Sequence, residues 1–186
     1  MIQKRIFDVF FSFLMIAVLF PFLVLFFVVA SVDTSANGLF IQQRIGRFGN
    51  PFSIYKFRTI HPQKNTISKI GNFFRKYKID ELPQLFNILK GEMTFVGPRP
   101  DIAGYYDVLK GENRKVLQLK PGLTSEASIK YRNEEELLSE MENPLQYNDE
   151  ILFPDKVKMN LEYLEKMSLK TDLKIIIKTI TTIFEK

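Results

Sequence analysis

The chain has 186 residues, a formal net charge of +5, 46% hydrophobic residues, 18 phenylalanines, one histidine and no cysteine. That length holds one domain, or one domain with an attached element, and the apolar fraction supplies a sizeable core. Lack of cysteine excludes disulfides, zinc–thiolate sites and cysteine nucleophiles, and His61 alone makes neither a multi-histidine metal site nor a Ser-His-Asp triad.

Ile6 to Val32 is apolar almost throughout, with Asp8 as its one charge. A helical bilayer crossing takes about 20 such residues. The run is too long for a cleaved signal peptide and has no small-x-small cleavage site behind it. Pro21, near the middle, removes one backbone hydrogen bond and predicts a kink. Lys4 and Arg5 precede the run, and Arg44, Arg47, Lys56 and Arg58 follow it. Positive residues on both flanks do not select a crossing orientation. A full span and a re-entrant dip from the cytoplasmic face both stay open on charge alone.

Ser35 to Gly38 is a polar break, and Leu39 to Gln43 then reads as a short strand. Gly46 and Gly49-Asn50-Pro51 mark tight turns before a second strand, Phe52 to Thr59. Alternation puts Lys56 and Arg58 on one face of that strand, either as a solvated edge or as a phosphate-binding patch. His61 to Ser68 is a polar loop. Ile70, Phe73, Phe74 and Tyr77 return at helical spacing with Arg75, Lys76 and Lys78 between them, an amphipathic helix with a basic side.

That basic side ends at Asp80, where the sequence reads DELPQLFNILKGEMTFVGPRP to Pro100. Leu82, Leu85, Phe86 and Leu89 predict a short helix closed near Gly91, then an extended Met93 to Val96. Asp80 stands where an N-cap belongs, and Pro83 falls in the first turn, where a missing donor is tolerated. A helix N-terminus and neighbouring cations both favour ionised Asp80 and Glu81. An ionised carboxylate serves as a nucleophile or holds a divalent cation.

Beyond Pro100 the pattern predicts a helix over Ile102 to Leu109, a turn at Pro121-Gly122-Leu123-Thr124, and an extended Ala127 to Tyr131 leading to Arg132. Glu134-Glu135-Glu136 reads as a solvated helix start, and Pro144 to Pro154 as irregular. Helices follow over Lys156 to Lys166 and Ser168 to Lys186. The last carries an apolar stripe of Leu173, Ile176, Ile177, Ile180, Ile183 and Phe184, with Lys170, Lys174 and Lys178 on its polar side. That stripe either packs inward or rests on anionic headgroups.

There is no P-loop and no dinucleotide-binding glycine pattern. Adjacent carboxylates do not suit inverting glycoside hydrolysis, which needs two separated by about 6.5–9.5 Å. The remaining kit is the Asp80-Glu81 pair, the cations Lys56, Arg58, Arg75, Arg99 and Arg132, and the turn Gly97-Pro98-Arg99-Pro100. It fits phosphoryl chemistry, in which a carboxylate attacks phosphorus or holds magnesium and arginines neutralise the oxygens.

Several longer motifs occur in a telling order. KRIFD begins at Lys4, ahead of the proline-broken apolar run, and QRIGRFGNPF at Gln43; YKFRT begins at Tyr55. The Asp80 to Pro100 stretch follows, then KPGLT from Lys120 and SLKTDL from Ser168. Together they resemble the bacterial sugar transferase family, the monotopic polyprenol-phosphate phosphoglycosyl transferases, over nearly the whole chain. The resemblance implies transfer of a phosphosugar from a UDP-sugar to polyprenyl (undecaprenyl) phosphate, with UMP leaving. It implies Asp80 as the nucleophile of a covalent phosphosugar intermediate. Glu81 assists, Asp80 and Glu81 hold Mg2+, and Lys56, Arg58, Arg75, Arg99 and Arg132 contact the anionic substrates.

The fold implied is α+β: a re-entrant membrane helix broken at Pro21 over residues 1–34, and a compact cytoplasmic domain over 35–186 with amphipathic interfacial helices and a small β-hairpin. The implied place is the cytoplasmic face of the bacterial inner membrane, at the first membrane step of capsule, exopolysaccharide, O-antigen or glycoprotein glycan synthesis. Anionic membrane lipids are expected partners, and downstream glycosyltransferases and a homodimer are admitted. Nucleic acid is not expected, because the positive charge is spread and the aromatics sit in apolar stripes. Three departures from the family stand out. The loop Ile60 to Ser68 is short, Ser125 to Arg132 lacks the glycine–tryptophan continuation of larger relatives, and no multi-span region precedes Met1. Two other readings compete: a basic membrane-anchored adaptor without catalysis, and a lipid-diphosphate hydrolase.

Overall fold

A computed structural model describes residues 2–184. The chain divides into two compact units, residues 1–44 with 51–94, and residues 45–50 with 95–186. The class is α+β, with one long apolar N-terminal helix and two two-stranded sheets among the described residues.

In the first unit, α1 (Ile2–Thr34) is one helix that continues through Pro21. Its apolar residues face outward along most of its length: Phe10, Phe13, Val18, Phe20, Leu25 and Val28 are all exposed. Three of its polar side chains, Asp8, Ser12 and Thr34, are buried beside Leu23 and Ala30. Asp8 is 3% exposed, and its Oδ2 accepts a 2.8 Å hydrogen bond from the Thr94 hydroxyl. The Arg5 guanidinium donates to the carbonyls of Ile88 and Leu89 at 2.6 and 2.8 Å. At the other end, Asp33 accepts from the Ser68 hydroxyl at 2.7 Å. Ser68 in turn caps α2 (Lys69–Lys76) by accepting from Gly71 N–H. Leu23 and Ala30 pack with Phe57 and Phe74, flanked by Phe26, whose ring meets that of Phe74 edge-on at 5.4 Å.

The predicted hairpin is present as β1 (Leu39–Ile45) and β2 (Pro51–Phe57). Its connection places Phe48 and Gly49 at positive φ and closes with Gly46 N–H donating to the Asn50 carbonyl at 2.8 Å. The amphipathic helix α2 presents Ile70, Phe73 and Tyr77 to the outside, burying Phe74 and Gly71 instead. An added Cβ at Gly71 would lie 2.7 Å from the Thr59 carbonyl, so the approach of α2 to the segment just after β2 needs glycine.

In the second unit, β3 (Thr94–Val96, its first residue still in the first unit) pairs with β4 (Gly122–Thr124). The chain after β3 is pinned by Gly97 N–H donating to the Thr124 carbonyl and Gly122 N–H donating to that of Pro98. A Cβ on Gly122 would fall 2.1 Å from Gly97 N, so the close approach of β4 to the Gly97 backbone needs glycine; Pro121-Gly122-Leu123-Thr124, expected as a turn, runs into this strand instead. Tyr106, Val116, Leu117 and Val157 form the core of this unit with Ile45.

Several expectations fail here for local reasons. Ile102 to Leu109 is not a helix; only a tight turn forms at Tyr106–Val108. Gly104 at φ +100° interrupts the helical path ahead of it, and Gly111 at φ +56° turns the chain beyond it. Ala127 to Tyr131 is not extended but lies largely in α4 (Glu126–Lys130), because the Ser125 hydroxyl caps it by accepting from Ser128 N–H. After α5 (Glu134–Ser139), the segment from Pro144 is ordered rather than irregular. It forms α6 (Pro144–Tyr147), capped by Asn143, then a π turn at Asn148–Leu152 leading into α7 (Phe153–Lys166).

The last helix, α8 (Leu169–Phe184), buries Asp172 and Ile175 and leaves Leu173, Ile177 and Ile180 outside. Tyr163 donates to Asp172, and the Thr124 and Thr179 hydroxyls pair at 2.7 Å, which holds the Asp172–Ile175–Thr179 side of the helix inward and leaves Lys170, Lys174 and Lys178 exposed. The side chains of Ile183 and Phe184, expected in the same stripe, lie outside the described residues.

Candidate active site

Asp80 and Glu81 are 8% and 5% exposed. They occupy a tight 3-10 turn, Ile79–Glu81, ahead of α3 (Gln84–Lys90). Asp80 therefore does not cap α3; Pro83 holds the N-cap position, and no side chain bonds there. What places the carboxylates is Lys78. It leaves α2 at φ 56°, in the left-handed region, and its carbonyl accepts from Glu81 N–H at 3.2 Å. A non-glycine residue held there carries a cost of roughly 1–3 kcal/mol. Oδ1 of Asp80 is enclosed and accepts no hydrogen bond, although the residue does have partners.

The structure brings Lys56 to this pair. Its ammonium stands 3.5 Å from Glu81 Oε1, with the Lys56 side chain 19% exposed. At that burial the ion pair is only partly screened by water. Sequence alternation put Lys56 and Arg58 on one face, yet their uses differ. Arg58 donates from Nε to the Asn37 carbonyl at 2.8 Å and stacks over Phe40, bracing the turn that leaves α1. Arg75 lies half-buried in the last turn of α2.

Arg99 and Arg132 belong to the second unit. Arg99 is exposed between buried Pro98 and Pro100, so the prolines shape the turn and the guanidinium projects from it. Arg132 donates to the Thr182 carbonyl at 3.1 Å, near the C-terminal end of α8, where the helix dipole favours a cation. Pro21 lies inside α1, with Phe20 and Leu23 beside it lining a groove described below.

One residue of this site was invisible to motif reading: Asn87, which is 0% exposed. Its amide nitrogen donates to the Ser53 carbonyl at 2.7 Å and to Glu92 Oε2 at 2.8 Å. Its amide oxygen accepts from Tyr55 N–H at 3.1 Å. The side chain pairs with β2 as a neighbouring strand would, and sets the position of Tyr55, the residue before Lys56. The sequence signal was a lone asparagine on the apolar side of a helix, where a polar residue must find partners.

A divalent ion has limited support from the protein. Among the described residues no cluster of three acidic or histidine side chains occurs. Adjacent Asp80 and Glu81 offer hard oxygen donors of the kind magnesium takes, and that ion usually keeps waters and relies on substrate phosphates rather than on a full protein cage. The donor set fits such an ion.

The family model described as bacterial sugar transferase matches residues 1–186. A Bacillus subtilis protein, provisionally named an undecaprenyl-phosphate N-acetylgalactosaminyl 1-phosphate transferase, is 36% identical over 110 residues; the match covers 53% of this chain and 62% of that protein. The UDP-glucose:undecaprenyl-phosphate glucose-1-phosphate transferase of Caulobacter vibrioides is 30% identical over 198 residues, covering 98% of this chain and 70% of that protein. A Klebsiella pneumoniae protein of the same name is 31% identical across 97% of this chain, which spans only 40% of its length.

Proposed function

The chain belongs to the bacterial sugar transferase family, and from that membership we propose that it transfers a phosphosugar from a UDP-sugar to undecaprenyl phosphate, releasing UMP. The observation that carries this reading is the buried Asp80-Glu81 pair with Lys56 drawn against it, in a chain whose relatives are named for this reaction. In the first step a carboxylate oxygen of Asp80 attacks the phosphorus that bears the sugar. A C–O–P linkage forms, the P–O bond to UMP breaks, and UMP takes the electron pair. In the second, a phosphate oxygen of undecaprenyl phosphate attacks the same phosphorus, and the Asp80 carboxylate leaves. Lys56, paired with Glu81, adds positive charge where diphosphate must sit. Magnesium bound by Asp80 and Glu81 would neutralise the diphosphate. Arg75, half-buried in the same unit, is assigned to the anionic substrates.

The same reading places α1 at the membrane without a simple crossing. From Asp8 to Ala30 the helix rises about 33 Å, close to the roughly 30 Å of a hydrocarbon core. Asp8 is tied to Thr94, and Ala30 and Asp33 to Phe74 and Ser68, all in one unit. A perpendicular span would put those ties on opposite faces and carry the unit into the bilayer. A shallow re-entrant course, entering and leaving by the cytoplasmic face, avoids this. The outward apolar faces of α1, α2 and α8 support contact with lipid, with α8 flanked by Lys170, Lys174 and Lys178. Since the chain has no cysteine, single Gln3→Cys and Asn37→Cys variants in inside-out vesicles are both expected to react with an impermeant maleimide. Labelling of only one of them would establish a crossing.

The chemistry is tested by intact mass. Protein in detergent with magnesium and a panel of UDP-sugars, and no acceptor, is expected to gain the mass of one phosphosugar and release UMP. UMP release that requires undecaprenyl phosphate, with no adduct, would replace the covalent route by direct transfer. Steady sugar phosphate release into water without acceptor would make it a hydrolase.

A further inference from the structure

In the first unit an open groove of about 410 Å3 lies between α1, the hairpin and α3. One wall is a single helical stripe of α1: Phe20, Leu23, Val24 and Phe27. The opposite wall is a stripe of α3: Pro83, Phe86 and Lys90. Its volume lies in the ordinary range of ligand pockets, roughly 300–1,000 Å3. Phe20, Val24, Phe27 and Phe86 leave much of their apolar surface open, so water is a poor occupant. The polar exceptions are Lys90 and the Tyr55 hydroxyl. The Lys90 ammonium donates to that hydroxyl at 2.6 Å and stands 4.5 Å from the ring centroid of Tyr55.

That bond, with the electrostatics of Tyr55 and then of Glu92, holds the Lys90 pKa above its ordinary value against a smaller opposing effect of burial. The ammonium thus stays charged at any physiological pH. It is solvent-exposed at the C-terminal end of α3, and one of its three N–H donors is spent on Tyr55. Arg5 adds a second cation at the same helix end, bonded to the Ile88 and Leu89 carbonyls. The carboxylate facing this end is Glu92, already held by Asn87. An apolar trough walled by the membrane helix, with net positive charge at one end, is complementary to one kind of molecule, a lipid with an anionic phosphate.

We propose that this groove seats one anionic bilayer phospholipid, its phosphate on Lys90 and one acyl chain along the Phe20–Phe27 stripe of α1. The acceptor lipid is the other source of the same chemistry, and the position of Lys90 disfavours it. Lys90 closes α3 at the end away from Asp80 and Glu81, about 9 Å of helix rise beyond Gln84. A phosphate held there stands out of reach of the carboxylates. The seated lipid is instead a resident that fills the gap between α1 and α3 and fixes how the membrane helix rests on the helix behind the catalytic turn.

The test is native mass spectrometry of the full chain, with binding rather than turnover as readout, so its failure is separate from failure of the transferase reading. Wild-type protein is exchanged into mixed micelles carrying phosphatidylglycerol and phosphatidylcholine of identical chains. One phosphatidylglycerol is expected to stay bound per chain in preference to phosphatidylcholine. Lys90→Met is expected to weaken its retention about fivefold, the worth of one basic residue at an anionic surface. Lys90→Arg should retain it, and Val24→Trp, which fills the groove, should lose it whatever the headgroup. Equal retention of both lipids would overturn the charge reading. Unchanged retention in Lys90→Met and Val24→Trp, each confirmed folded by its melting temperature, would remove the site. One-for-one displacement of phosphatidylglycerol by undecaprenyl phosphate would assign the groove to the acceptor instead.

Discussion

Asp80→Asn is expected to abolish both the phosphosugar adduct and UMP release, with a loss of about 10^3-fold or more, as for removal of other covalent nucleophiles. An amide has nearly the shape of the carboxylate but no anionic oxygen with which to attack phosphorus. Asp80 does not cap α3, and the turn that carries it is held by backbone bonds from Lys78 and Ile79. The substitution therefore leaves that turn's backbone in place, and a melting curve beside the activity assay separates chemistry from folding. If the Asn variant turned over within tenfold of wild type, Asp80 would be a structural or ion-holding group. Loss of the adduct with retained acceptor-dependent UMP release would mark direct transfer.

Asn87→Ala is expected to destabilise the first unit strongly. It deletes three hydrogen bonds at a site with no solvent access, leaving Ser53 C=O, Tyr55 N–H and Glu92 short of partners. Leaving a buried polar group unsatisfied costs about 1–3 kcal/mol, and some of these groups will find water. A net loss of about 3 kcal/mol follows, or a fall in Tm of roughly 6–12 °C for a chain of this size. Because Tyr55 precedes Lys56, the surviving folded fraction should also transfer phosphosugar more slowly. A Tm within about 2 °C of wild type would show that water replaces the amide and that β2 needs no such pairing.

The local elements were legible wherever spacing and turn chemistry agree. The apolar run of α1, the hairpin around Gly46 and Gly49-Asn50-Pro51, the short helix before Gly91 and the two C-terminal helices follow from periodicity and from residues that tolerate positive φ. The reading failed where one small contact outweighed the pattern. Ser125 turned an extended-looking segment into α4 by capping it, and Gly104 broke a plausible helix.

Amphipathic helices exposed a deeper limit. Periodicity shows that α8 has two unlike faces; it does not say which one is inside. Asp172 and Ile175 went inward because Tyr163 and Thr124 supply partners for that face, and the apolar stripe was left out. The same division runs through the candidate site. The sequence by itself determined that two carboxylates are adjacent and preceded by a basic helix, since that is covalent spacing and short-range pattern. Only the tertiary structure decided that Lys56 meets Glu81 while Arg58 is spent on Asn37, and that Asn87 ties β2 to α3. Those pairings depend on long-range packing, which brings distant residues within hydrogen-bond reach and which no local spacing encodes.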